Sequence, residues 1–197
     1  ITARAKNHLE ANNIIKPIKE KLKKDFSKFI FGEDHDTLPS VLIKQLTERN
    51  QTIVFAESCT GGLLSSSLTS ISGSSHVFRG SIVSYSNELK NSLLNISEET
   101  LTKYGAVSEE VCESMAINVK EKLGADWAIA ISGIAGPNGG SEDKPVGLVY
   151  ISIAGPNHHI TNIKKLFNST RNRIEIQTLS VNVCLNSLRL ILLSNSK

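Results

Sequence analysis

Apolar positions along this chain follow two alternating rhythms. Short, nearly continuous apolar runs occur at 52–56 (TIVFA), 81–85 (SIVSY), 127–131, 146–153 and 160–167, and each predicts a buried or half-buried strand. Between them, apolar residues recur every three or four positions, the spacing of a helix with one buried face. Leu38, Val41, Leu42 and Leu46 form one such face, 63–71 a second, and Ile174, Leu179, Val183 and Leu190 a third. Polar punctuation sets the expected ends. Thr37, Asn87, Ser97 and Ser108 stand where helix N-caps are needed, Ser169 or Thr170 is expected to cap the last helix, and Gly124 is expected to close the helix that Ser108 opens.

Strands alternating with helices, several of them apolar throughout, predict a three-layer α/β/α domain on a mixed, largely parallel sheet. The short link between the fourth and fifth strands reads as a hairpin. Residues 38–197 form this domain. Residues 1–37 differ: six lysines lie between Lys16 and Lys28, with Ile18, Leu22, Phe26 and Phe29 at helical spacing and Pro17 suited to a first turn. This predicts an amphipathic basic linker helix over roughly 16–30, whose apolar stripe packs on the domain or on a partner chain. The first residue is Ile1, as in a processed chain or the later part of a longer one.

Composition narrows the class. The chain has 197 residues, 40% of them hydrophobic, enough for a sizeable core, and a net charge of only +3. Its apolar runs fall short of the roughly 18 residues of a membrane span, so no membrane association is expected. Cys59, Cys112 and Cys184 are widely spaced and odd in number, which fits a reducing cytoplasm rather than a disulfide framework. The histidines show no metal-ligand spacing, so neither metal nor cofactor is expected. The lysine-rich arm lacks interleaved aromatics for base stacking, which weighs against nucleic acid.

Three segments bring candidate chemistry to the carboxyl ends of the strands, where open α/β sheets bind ligands. In the first, Ser58 follows a strand and precedes a helix opening at Thr60, Gly61 and Gly62. The amides there could hold an oxyanion or a phosphate, or Ser58 could be a plain helix cap. In the second, Tyr85 ends a strand and Lys90 lies early in the next helix. A lysine whose pKa is lowered by burial can accept a serine proton; the plainer alternative is a surface lysine and an interface tyrosine. The third is the loop 132–144, whose Gly133, Gly136, Gly139 and Gly140 could approach a ligand through backbone amides or simply form a surface loop. The GxSxG, GxGxxG and P-loop patterns are absent.

Five motifs in order, AESCTGG at 56–62, YSNELK at 85–90, GAVSEEV at 105–111, SGIAGPNGG at 132–140 and KPVG at 144–147, resemble the CinA C-terminal-domain family over residues 38–193. Residues 1–37 resemble the connector that precedes this domain in longer members. The resemblance implies hydrolysis of the carboxamide of nicotinamide mononucleotide to nicotinic acid mononucleotide and ammonia. It places the nucleophile on Ser58 and its assisting groups on Tyr85 and Lys90. Thr60, Gly61, Gly62, Arg79, Gly136, Gly139, Gly140, Lys144 and Arg171 are the expected substrate-binding residues, with the cations as phosphate partners. Glu175 stands where a second basic residue is usual, with Arg173 nearby, and Ser132 stands in place of a threonine. The expected partners are a small-molecule nucleotide and further copies of the chain. A nucleotide-binding regulatory module without turnover, and a competence-related DNA-binding accessory, are the competing classes.

Overall fold

The structure is a computed structural model and describes residues 1–194; the last three residues of the domain expected over 38–197 lie outside it. The elements run α1 (His8–Asp25), α2 (Leu38–Glu48), β1 (Ile53–Glu57), α3 (Leu63–Thr69), β2 (Phe78–Val83), α4 (Asn87–Leu94), α5 (Glu98–Tyr104), α6 (Glu109–Leu123), β3 (Trp127–Gly133), β4 (Leu148–Ala154), β5 (Ile160–Leu166) and α7 (Arg173–Ser194). The sheet order is β2-β1-β3-β4-β5. β1 pairs in parallel with β2 and β3, and β4 runs antiparallel to both β3 and β5. Four strands therefore share one direction and β4 alone opposes it, the mixed and mainly parallel sheet that the pattern predicts, with the hairpin where it was expected.

The period of two along a strand sorts residues onto two faces. Ile53, Phe55, Ile129, Ile131, Ile151 and Ile153 face a core closed by α2, α3 and α7. Val54, Ala56, Ala128, Ala130 and Ala154 face a second core closed by α6, through Val111, Cys112, Met115 and Val119. Large side chains fill the first core and small ones dominate the sheet side of the second, so α6 packs over a floor of alanines. Central strands β1 and β3 are buried along almost their whole length, whereas β5, at one edge, ends in exposed Lys164, Lys165 and Leu166, a charged margin that discourages further strand pairing.

Local chemistry moves three helix starts from their expected places. α1 begins nine residues before Pro17, because the Asn7 side chain accepts the Glu10 amide at 2.9 Å; Pro17 lies inside the helix, and Phe26 and Phe29 fall beyond its end. No α1 residue is buried, and Leu9, Ile14 and Ile18 stay exposed, so the expected packing of the stripe on the domain is not seen. Polar contacts hold the arm instead: Lys19 and Lys23 pair with Glu33 within it, and Arg189 on α7 donates to the Lys28 carbonyl at 2.8 Å, which ties it to the domain. Ser86, not Asn87, caps α4. Neither Ser169 nor Thr170 caps α7. Asn172 accepts the Glu175 amide at 3.0 Å while Glu175 accepts the Asn172 amide at 2.9 Å, a reciprocal cap that starts the helix at Arg173.

α7 also corrects the reading of apolar length. By length and composition alone it is long and apolar enough to cross a membrane. Its apolar face here is the one against the sheet, where Ile176, Val181, Cys184, Leu185, Leu188 and Leu192 are buried.

The alanine floor is a packing requirement. Ala130→Leu would push Cγ and two methyl carbons against α6 and lower unfolding stability by about 1–3 kcal/mol in urea denaturation. An unchanged midpoint would show that α6 is free to retreat.

Candidate active site

The chain leaves β1 at Glu57 and returns to β2 through α3 on one face; it then reaches β3 through α4, α5 and α6 on the other. A crevice opens at the carboxyl end of β1 where the two connections part. The Ser58 amide donates to the Ile131 carbonyl at 3.1 Å and the Ser84 amide donates to the Glu57 carbonyl at 2.9 Å, so both ladders continue one step past the strands and fix Ser58 between them.

Glu57 and Ser58 are neighbours with opposite duties. The fully buried Glu57 carboxylate turns to the start of α3. Its Oε2 accepts the Gly62 and Leu64 amides at 3.0 Å each and the Thr60 hydroxyl at 2.7 Å; its Oε1 accepts the Ser65 amide at 2.8 Å and the Ser65 hydroxyl at 2.5 Å. The positive end of α3 is thereby filled by the chain's own carboxylate. The sequence reading offered that helix start to an oxyanion or phosphate. The structure corrects it: the Gly62 amide is taken by Glu57, and the Gly61 amide donates to the Ser58 carbonyl at 3.1 Å.

Ser58 faces the other way, toward α4. Lys90 and Leu94 occupy the buried face of that short helix, so a lysine stands at a core position. Lys90 is 1% exposed, and its Nζ donates to Ser58 Oγ at 3.0 Å and to the Ser84 carbonyl at 2.7 Å. Burial pulls the Lys90 pKa below its ordinary value, opposed in part by the nearby Cys59 and Cys112 thiols. The neighbouring Cys59 is a weak rival to Ser58, because burial pushes its thiol up to about 12 and keeps it protonated near neutrality.

A cavity of about 250 Å3 adjoins Ser58 and Lys90, walled by Tyr85, Ala106, Val107, the 132–139 loop and Arg173. Ser132 holds the Ala106 carbonyl at 2.6 Å and thereby joins the loop to the segment before α6. Gly136 has φ +74, and a Cβ there would meet Val146 Cγ1 at 2.5 Å, so glycine is required. On the first turn of α7, Arg173 donates to the Gly136 carbonyl at 2.9 Å and to Tyr85 Oη at 2.7 Å, and Gln177, one turn on, donates to the Cys59 carbonyl at 2.7 Å.

Residues 35–192 match the family model of the CinA C-terminal domain. The chain belongs to that family. It is 91% identical over 197 residues to a CinA-like protein of Prochlorococcus marinus (strain AS9601), covering all of this chain and 46% of that protein. It is 46% identical over 194 residues to a CinA-like protein of Trichormus variabilis (strain ATCC 29413 / PCC 7937), covering 98% of this chain and 47% of that one. The chain spans about half the length of the curated relatives it matches. Among solved structures, the competence/damage inducible protein CihA from Agrobacterium tumefaciens superposes with a TM-score of 0.77 at 37% identity, over 83% of this chain and 98% of that one. A CinA superfamily protein from Klebsiella pneumoniae 700603 gives 0.76 at 30% identity, over 80% and 96%.

Within this CinA domain the expected site residues divide sharply. Ser58, Tyr85, Lys90, Gly136 and Gly139 line the cavity; Thr60, Gly61, Gly62, Gly140, Arg79, Lys144 and Arg171 do not. Tyr85 is 58% exposed, and its hydroxyl is bonded to Arg173 rather than to the Ser58–Lys90 pair. Arg79 lies near the amino end of β2, away from the crevice, donating to the Gly124 carbonyl that closes α6 at 2.7 Å. Lys144 donates to the Tyr104 carbonyl at the end of α5, also at 2.7 Å. Both cations satisfy helix C-termini, which attract positive charge as ligand anions do. Arg171 is exposed in the turn before α7. Sequence reasoning noted Arg173 only as a neighbour and gave Gln177 no place. The Asn172–Glu175 cap is the signal that would have placed both on the first turns of α7, one helical turn apart.

Glu57 holds the Ser58 turn against α3, so its removal should be felt in stability. Glu57→Ala would take the acceptor from the amides of Gly62, Ser65 and buried Leu64 and lower unfolding free energy by about 2–4 kcal/mol in chemical denaturation. A loss below about 1 kcal/mol would mean that the turn holds its shape without the carboxylate.

Proposed function

We propose that this CinA domain hydrolyses the carboxamide of nicotinamide mononucleotide, giving nicotinic acid mononucleotide and ammonia. The observation that carries this reading is the buried Lys90 amine 3.0 Å from Ser58 Oγ beside a cavity. The substrate itself comes from the family resemblance.

In its neutral form Lys90 takes the Ser58 proton as Oγ bonds to the carboxamide carbon. The carbonyl oxygen becomes an oxyanion. The Gly62, Leu64 and Ser65 amides at the start of α3 are taken by Glu57 and are not free to hold it. Collapse of the tetrahedral intermediate breaks the C–N bond, and the Lys90 ammonium returns its proton to the departing nitrogen, which leaves as ammonia. Water then attacks the Ser58 ester, giving a proton to Lys90; the carboxylate departs, and Ser58 regains its hydrogen. The Ser84 carbonyl accepts from Nζ throughout and keeps the amine aimed at Oγ. The Arg173 contact holds Tyr85 at the cavity wall, where its ring can bear on the pyridine.

The test is ammonia release from nicotinamide mononucleotide across a pH series, with the chain as it stands and with Ser58→Ala. The working amine is unprotonated, so acid removes activity. Because burial lowers the Lys90 pKa, the rising limb should centre below the ordinary lysine value of 10.5. Ser58→Ala should reduce release by at least about a thousandfold at every pH. Equal release by both proteins would discard Ser58 as nucleophile, and a limb centred at or above 10.5 would discard Lys90 as base.

A further inference from the structure

A second cavity, of about 470 Å3, opens where the N-terminal arm meets the domain, and it shares no lining residue with the one beside Ser58. The arm contributes Lys23 and Ser27, α2 contributes Lys44 and Gln45, and α7 contributes Arg189. Arg189 is only 3% exposed. Its Nε donates to the Asn186 side chain at 2.9 Å and its Nη2 to the Lys28 carbonyl at 2.8 Å, both neutral acceptors. Among the described residues no carboxylate lies within ion-pair distance of it. Burial lowers its pKa, as for a cation sunk without an anion beside it. Buried charges are ordinarily paired, because the lost hydration is otherwise uncompensated. A guanidinium has five N–H donors, and these contacts use two.

The acids of the same cavity are engaged elsewhere. Glu33 pairs with Lys19 and Lys23, and Asp36 accepts the Glu33 amide at 2.9 Å. Lys44 is exposed and, among the described residues, forms no ion pair. Beside it in the chain, Gln45 Oε1 is buried with no hydrogen-bond partner. The cavity therefore presents two cations that lack an anion and one acceptor that lacks a donor. A ligand that answers all three carries negative charge and a hydrogen of its own. Monohydrogen phosphate does; sulfate, of similar size and equal charge, carries no hydrogen.

We propose that this junction is a second ligand site, which holds hydrogen phosphate between Arg189 and Lys44 with its hydroxyl donated to Gln45. Because the walls come from both the arm and the domain, the bound anion fastens one to the other and reinforces the Arg189–Lys28 bond. The site takes nothing from the hydrolysis and stands whether or not the chain releases ammonia.

The experiment titrates the 15N-labelled chain with inorganic phosphate and, separately, with sulfate, at mildly alkaline pH where both are dianions. The Arg189 Nε–H signal, assigned with Arg189→Lys, is followed by NMR. Phosphate should shift it saturably and bind about tenfold more tightly than sulfate. Gln45→Leu should bring the two anions level, and Lys44→Ala should weaken both by about three- to tenfold. Arg173→Ala, which alters the cavity beside Ser58, should leave the Arg189 shifts as they are. Phosphate should also slow tryptic cleavage after Lys24 and Lys28 in the unsubstituted chain. Absence of a saturable Arg189 shift, sulfate binding as tightly as phosphate, or arm cleavage at the same rate with and without phosphate would each overturn the proposal. Arg189 shifts abolished by Arg173→Ala would overturn it too, since the anion would then be held beside Ser58.

Discussion

A primary amine shut away from water, bonded to a serine hydroxyl and to a main-chain carbonyl with no acid beside it, is the constraint around which this domain is arranged. A carboxylate next to Lys90 would hold it protonated and make it a structural cation. The chain supplies a carboxylate one residue from Ser58 and then sends it elsewhere. Glu57 closes the strand, points to the opposite side and is consumed by the amides and hydroxyls at the start of α3. The same helix terminus that could have served a ligand serves instead to keep this acid away from the amine. Burial is what lowers the Lys90 pKa, and the bonds of Glu57 to α3 keep that carboxylate engaged elsewhere.

The fold makes that separation possible. Parallel strands β1, β2 and β3 end together, and the crossovers leave on opposite faces, α3 to one side and α4 to α6 to the other. Side chains of consecutive residues leaving β1 therefore meet different helices: Glu57 meets α3 and Ser58 meets α4. The alanine floor beneath α6 and the larger residues beneath α2, α3 and α7 hold the two layers around the sheet. α7 then brings a third element to the same edge, through Arg173 and Gln177.

Much of this was legible in the sequence, for physical reasons. Strand positions followed from apolar runs, and Ser58, Tyr85 and the loop around Gly136 could be assigned to one edge because all follow strands in an open sheet. Residue pattern alone left Lys90 open to being a surface lysine, and the family resemblance singled it out; Leu94, one turn on and buried on the same face, is the signal that would have placed it inside. The cations were misread where only proximity in sequence supported them. Arg79 and Lys144 have side chains long enough to reach helix ends, and the carbonyls of Gly124 and Tyr104 claimed them. Arg171 lost its place to Arg173 because a two-residue shift at a helix start changes which side chain faces the crevice. The use of Glu57 depended on side-chain direction at a strand end, which periodicity alone does not resolve between a capping acid and a catalytic one.

The state of one nitrogen is the most direct test of this account. Lysine labelled with 13C at Cε reports ionisation by NMR, and a Lys90→Arg variant identifies the resonance. The account predicts that Lys90 titrates at a pH below the exposed lysines of α1, and that stability rises with pH across the same interval, because the unfolded chain binds that proton more tightly than the folded one. A Lys90 signal that titrates together with those lysines, or above them, would contradict it.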